Sequence, residues 1–388
     1  MGELVVRSGM RANQGARCKS SGCHNNFLKD RVWTGQCLLE LPLKPASKTT
    51  QQFDLKNRRL FLKRSKSETL SPASLYINSV INVHSRQLKI VDYGDKYTQN
   101  KLETNSTLGL IKPDATAKMG QILDRIADSG LLLTKLKMCH LSRSEAAEFY
   151  AEHNSKPFFN ELLHYMTSAP IVALGLMGHD SINKWRDMLG PTDSTVARKE
   201  KPTSIRAEFG TDKGHNAAHG SLTNDDAIRE FEFFFSQPSN RKNTAQFTNC
   251  TCCVIKPHAV ANGVAGKIIS SIIDSGFEIS ALEMFSLDRA NAEEFLEVYK
   301  DVVAEYADMV QQLTTGPCIA MEIRAQDAPV KFREFVGPSD PEIARHLRPR
   351  TLRALFGKDK IQNAIHCTDL PEDALLEVEY FFKILSRG

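Results

Sequence analysis

Apolar positions along this chain switch between two spacings. Residues 108–111 run together as a short strand, and residues 119–128 show apolar side chains every third or fourth position until Gly130 stops them. Alternation over 131–141 predicts a second strand. Ser142 and Glu145 have the spacing of a capping box, which opens a helix holding Phe149 and Tyr150. Residues 157–167 read as another helix and 170–176 as a strand. Asp180 is placed to cap a helix containing Trp185 and Arg186. Residues 191–213 are rich in breakers and predict a long loop. A short strand then carries His219, and Thr223 with Asp226 caps a last helix reaching Phe235. Strand–helix–strand, helices, strand–helix and strand–helix is the order of an α+β sandwich of ferredoxin type, a split βαβ.

The pattern occurs twice. Leu110-Ile111-Lys112-Pro113 returns as Val254-Ile255-Lys256-Pro257, and Asp128-Ser129-Gly130 as Asp274-Ser275-Gly276. Pro170 matches Pro317, Arg186 matches Arg333, Asn216 matches Asn363, His219 matches His366 and Glu230 matches Glu377. The offset is 144 at the lysine, 146 at Asp-Ser-Gly and 147 from Pro170 onward, so two small length changes align everything. A unit this long is a duplicated domain, not a solenoid repeat. The copies span 105–236 and 247–388, joined by a polar linker at 237–246. In front lie a basic, irregular leader at 1–52 and a small β-rich module at 53–104.

Composition adds one asymmetry. Hydrophobic residues are 41% and charged residues 25%, the range of soluble globular proteins. No apolar run approaches the roughly 18 residues of a membrane span. The nine cysteines are odd in number and scattered, which fits reduced thiols and no zinc spacing. Residues 1–100 carry 17 Lys and Arg against 7 Asp and Glu, whereas the remainder carries 33 against 39. A basic front on an acidic body suits docking onto an acidic partner. It lacks the aromatic interleaving of a nucleic-acid surface, so nucleic acid ranks last among such partners.

Both copies hold a lysine at a strand end, two arginines, an asparagine, a histidine and a helix glutamate. Lysine and arginine clamp phosphates, a histidine among them can accept a phosphoryl group, and a carboxylate can fix its tautomer. Neither a Walker loop nor the protein-kinase motif set is present. Asn216-Ala217-Ala218-His219-Gly220-Ser221 resembles the N-x-x-H-G-S signature of the nucleoside diphosphate kinases. The resemblance extends through Lys112-Pro113-Asp114, Tyr150, Lys156-Pro157-Phe158-Phe159, Arg186-x-Met188-Leu189-Gly190, Thr192 and Ile205-Arg206.

That resemblance implies two tandem ferredoxin-like nucleoside diphosphate kinase domains and a role for each residue. His219 would carry the phosphoryl group between nucleoside triphosphates and diphosphates, oriented by Glu230 with Tyr150 beside the ring. Arg186, Thr192 and Arg206 would bind phosphate oxygens bridged by Mg2+, with no metal site built from side chains. Lys112 and Asn216 would meet ribose and phosphate, and Phe158 would stack on the base. Single-domain relatives assemble as oligomers, a contact that two copies in one chain could satisfy internally. The second copy keeps Lys256, Arg333, Arg353, Asn363, His366 and Glu377 but has Ser339 for Thr192, Leu296 for Tyr150 and Cys367-Thr368 for Gly220-Ser221. Tyr306 is the match for Phe158 there. A cysteine beside the nucleophile is expected to crowd the pocket, so this copy should bind weakly and turn over slowly.

Two strand-like runs at 80–84 and 88–93 resemble the later part of the doublet-microtubule domain found before tandem kinase domains of the family. The implied partners are tubulin or the gamma-tubulin ring complex. The implied locations are cytoplasm and cytoskeleton, at the centrosome, spindle or cilium axoneme. Two functions follow: an enzyme with a microtubule-linked role, or a structural scaffold of ciliary or centrosomal microtubules whose catalysis is vestigial.

Overall fold

The computed structural model describes residues 2–8, 36–41, 49–54, 59–66, 79–83, 86–93, 105–236 and 242–387. The chain divides into two compact units, Met1–Asn105 and Ser106–Gly388.

The first unit is a six-stranded sheet of β1 (Gly2–Ser8), β2 (Gln36–Leu41), β3 (Thr49–Asp54), β4 (Arg59–Lys66), β5 (Val80–Val83) and β6 (Arg86–Tyr93), in the order β4-β3-β2-β1-β6-β5. The expected hairpin forms, with Val80 opposite Lys89. Alternation along β6 buries Leu88 and Ile90. Residues 1–52 are not wholly irregular: they supply β1, β2 and the start of β3. β1 pairs in parallel with both β2 and β6. Such pairing joins segments far apart in sequence and leaves no local turn to read.

The second unit contains both copies. The first runs β7 (Asn105–Ile111), α1 (Met119–Asp128), β8 (Leu132–Cys139), α2 (Arg143–Phe149), α3 (Phe159–Met166), β9 (Ile171–Gly178), α4 (Ser181–Leu189), α5 (Ser194–Glu200), α6 (Ile205–Phe209), β10 (Ala218–Gly220) and α7 (Asn224–Phe235). The second runs β11 (Cys250–Ile255), α8 (Pro257–Ala261), α9 (Ala265–Asp274), β12 (Glu278–Phe285), α10 (Arg289–Phe295), α11 (Tyr306–Leu313), β13 (Cys318–Arg324), α12 (Ala328–Val336), α13 (Pro341–Leu347), α14 (Leu352–Phe356), β14 (Ile365–Cys367) and α15 (Ala374–Glu379). All eight strands share one sheet, ordered β10-β7-β9-β8-β12-β13-β11-β14. Each half has the ferredoxin order, and the halves join edge to edge at β8 and β12.

Local chemistry explains the elements. Met119, Ile122, Leu123 and Ile126 bury one face of α1. Ser142 and Glu145 form both bonds of the capping box on α2. The stretch 191–213 is not a loop throughout. Asp193 accepts from Thr195 N and Ser204 from Ala207 N, and these caps start α5 and α6. Asp180 does not cap α4 with its side chain. It sits at φ 55°, and its carboxylate accepts from Asn183 Nδ2 instead.

Candidate active site

β10 and β14 place the two histidines in the same register, His219 opposite Leu110 and His366 opposite Val254. Each strand is preceded by an alanine with left-handed backbone, Ala217 at φ 66° and Ala364 at φ 69°. A non-glycine residue there is strained and must be held by its surroundings. In the first copy the Asp114 carboxylate accepts from Ala217 N at 3.1 Å, and Lys112 N donates to Ala217 O at 2.8 Å. In the second, His258 replaces Asp114 and its Nε2 accepts from Ala364 N at 3.2 Å. Burial and the nearby Lys256 charge push the His258 pKa down to about 4, so the ring is neutral near pH 7 and has a lone pair to offer.

In the first copy, His219 Nε2 lies 3.0 and 3.1 Å from the two Glu230 oxygens. Ser221 Oγ donates to the same carboxylate at 2.7 Å. The Glu230 bond occupies Nε2 and leaves Nδ1 as the available nucleophile. The Phe149 and Tyr150 rings stand edge-on to the imidazole at 5.5 and 6.1 Å. Burial, with Glu230 next, raises the Tyr150 hydroxyl pKa well above its ordinary value, and this hydroxyl has no partner among the described residues.

The cations are arranged by backbone. Arg206 donates from Nε and Nη2 to Ala218 O and from Nη1 to Gly190 O. Burial and then the Arg186 charge lower its pKa to about 10. Arg186 and Thr192 are exposed, and Arg186 is near enough for its charge to act on this guanidinium. Lys112 Nζ donates to Asn216 Oδ1 at 2.7 Å, while Asn216 Nδ2 donates to Thr192 O at 2.9 Å. Burial and then Arg206 lower the Lys112 pKa to about 8, against the pull of Asp114. Phe158 is 49% exposed at the start of α3, available to a ring stacked on it. Its counterpart at the start of α11 is Glu305, and Tyr306 matches Phe159, so the match of Tyr306 with Phe158 is corrected.

The second copy repeats the outline with different bonds. His366 Nε2 meets Glu377 at 2.9 Å, and Thr368 Oγ1 donates to Glu377 at 2.9 Å, so threonine does what Ser221 does. Lys256 donates to Ile361 O and not to Asn363, whose Oδ1 is left without a partner among the described residues. Arg333 is tied to the Asp369 carbonyl at 3.0 Å, with its Nε 3.4 Å from the Asp369 carboxylate. Arg353 keeps its carbonyl bonds to Ile365 and Gly337. Asn363 Nδ2 donates to Ser339 O at 2.9 Å. Tyr299, which sequence reading missed, stands edge-on to His366 at 6.3 Å and donates to Asp369 at 2.7 Å. An aromatic beside the histidine is therefore retained, supplied from a position three residues after Leu296.

Cys367 does not crowd the imidazole as expected. Gly109 and Gly220 face each other across β7 and β10 because Trp185 fills the space above them: a Cβ on Gly220 would lie 2.6 Å from its ring. Phe332 takes the place of Trp185 in the second copy, and the freed volume holds Cys253 and Cys367 within the core. Trp185 also donates to His219 O at 3.1 Å, a bond that phenylalanine cannot make.

Among the described residues no three His, Cys, Asp or Glu side chains group to hold a metal ion. No helix there is long and apolar enough to cross a membrane. The cationic set around His219 suits phosphate oxygens, and a divalent cation would enter on the phosphates themselves.

Both copies thus present a strand histidine held by a buried carboxylate, with an arginine anchored to backbone carbonyls nearby. The family model described as nucleoside diphosphate kinase matches residues 105–239 and again 249–385, and the chain belongs to that family. It is similar to "Nucleoside diphosphate kinase homolog 7" of Rattus norvegicus, 56% identical over 352 residues, 90% of this chain and 89% of the relative. The Mus musculus protein of that name is 55% identical over 352 residues, with the same shares covered. The solved Aquifex aeolicus nucleoside diphosphate kinase is 47% identical, covering 34% of this chain and 96% of its own, with a TM-score of 0.34.

Proposed function

We propose that the first copy is a working nucleoside diphosphate kinase. The Nδ1 lone pair of His219 attacks the γ-phosphorus of a nucleoside triphosphate. The bond to the β,γ-bridging oxygen breaks and nucleoside diphosphate leaves. A terminal oxygen of a second diphosphate then attacks the phosphohistidine, forming the new triphosphate and freeing Nδ1. Glu230 holds Nε2 throughout. Arg186, Arg206 and Lys112 would balance phosphate charge, Thr192 and Asn216 would fix orientation, and Phe158 would stack on either base without selecting it. Mg2+ bound to the phosphates would neutralise their oxygens. The observation that carries this reading is the bond from Glu230 to Nε2 at 3.0 Å, which assigns the free nitrogen. Incubation with γ-labelled ATP and Mg2+ should place acid-labile phosphate on His219; label absent from His219 would sink the reading.

The second copy is proposed as a weak nucleotide binder. Support comes from Arg333, which donates to the Asp369 carbonyl and lies 3.4 Å from its carboxylate, and from the deeper burial of His366. A microtubule-linked role at the centrosome, spindle or cilium axoneme is proposed for the front unit, whose basic balance suits the acidic surface of tubulin or the gamma-tubulin ring complex. A chain beginning at Asn105 should keep kinase activity and lose co-sedimentation with microtubules. Equal pelleting of both forms would reject that role.

A further inference from the structure

The surface between the two copies is symmetric in shape and asymmetric in charge. Gly120 of α1 and Gly266 of α9 are counterparts at the 146-residue offset, and each lets the other helix approach. A Cβ on Gly120 would lie 2.5 Å from Ser270 N, and one on Gly266 would lie 2.4 Å from Asp124 N. Asp124 and Ser270 are counterparts too. Where β8 meets β12, the residues paired are Lys137 and Glu283, once more counterparts, so the internal two-fold passes between them.

A residue on such an axis would face itself if a copy paired with its own kind. Lys137 would meet Lys137, or Glu283 would meet Glu283. In this chain Lys137 Nζ lies 3.2 Å from Glu283 Oε1, with the side chains only 7% and 16% exposed. Burial raises the Glu283 carboxyl pKa, and Lys137 followed by Lys135 opposes it. The other Glu283 oxygen has no partner among the described residues, so this carboxylate depends on Lys137. At the helices, Lys267 Nζ is 3.9 Å from Asp124 Oδ1. The symmetry-related positions hold Gln121 and Ser270, which are neutral. Both ion pairs across this surface therefore require one copy of each kind. The helix pair is exposed and contributes little. The axis pair is desolvated, where like charges are costly and opposite charges select a partner.

We infer that this face is mutually selective: each kinase copy accepts the other and rejects a second copy of its own kind, so the chain closes on itself. Full-length charge variants test it, because they place like charges on the axis without altering the shape of the face. Lys137→Glu gives two glutamates there, Glu283→Lys gives two lysines, and the double exchange restores opposite charges in reversed order. Each single variant should lower Tm by on the order of 5–10 °C, more than Lys137→Gln or Glu283→Gln does. The double exchange should recover to within about 2 °C of the parent. Recovery decides the matter even where a single variant fails to fold. Losses that add in the double exchange, or like-charge variants that melt with the parent, would overturn the inference.

Discussion

His219 and His366 occupy one strand register and hold equivalent carboxylates, yet their imidazoles are 20% and 7% exposed. The first copy leaves Arg186 exposed and links Lys112 to Asn216. In the second copy, Arg333 binds Asp369 and Lys256 turns to Ile361. Identical side chains are therefore not an identical site. What separates the copies is that His366 is the more buried and that Arg333 is held by Asp369, a bond it must break before it meets a phosphate.

The sharpest way to break this comparison is to remove each histidine from the full-length chain. His219→Ala should abolish phosphate exchange, while His366→Ala should leave most of it, in one coupled assay of both variants. Equal losses would make the second site catalytic. The arginines come next. Arg206→Ala should lower turnover by about 10²–10³-fold through loss of one donor to developing charge, and Arg353→Ala should change it little. A change confined to KM in Arg206→Ala would make that arginine a ground-state binder.

A third comparison exchanges the packing. Gly220→Cys should destabilise the first copy by about 1–3 kcal/mol through overlap with Trp185. Adding Trp185→Phe should recover most of that loss in Tm while activity falls, since His219 O loses its donor. If the pair is no more stable than Gly220→Cys alone, the compensation seen between Phe332 and Cys367 is not causal. The smallest effect is in pH. Lys112 and Lys256 titrate at about 8 and about 7 in the fold against 10.5 for an ordinary lysine, in both cases mainly through burial. Between those values the unfolded chain holds protons that the folded chain lacks, so stability should rise with pH from about 7 toward 10. Lys256→Met should flatten the rise in Tm more than Lys112→Met. A steeper contribution from Lys112 would reverse the order.

The duplication, α1, the capping box and the histidine strand were legible because each is written in local spacing or in a repeated motif. The helices α5 and α6 were hidden by Pro191 and Pro202, although Asp193 and Ser204 carry the caps that start them. Tyr299 was missed because alignment follows sequence offset, whereas a ring can reach the same place from the next turn. The harmlessness of Cys367 lay in Phe332, a distant residue whose smaller volume only packing reveals. β1 could not be read because its neighbours in the sheet, β2 and β6, begin at Gln36 and Arg86.

The shared eight-stranded sheet also sets a timetable for synthesis. The first copy is complete once α7 ends at Phe235, but β12, which covers its β8 edge, ends at Phe285. At roughly 5–20 residues per second, that edge and the helix face beside it stay open on the ribosome for on the order of several seconds. An uncovered strand edge is a template for any neighbouring chain. On this edge a second nascent first copy would bring Lys137 against Lys137, so chains arrested between these two points should stay apart from one another until β12 supplies Glu283.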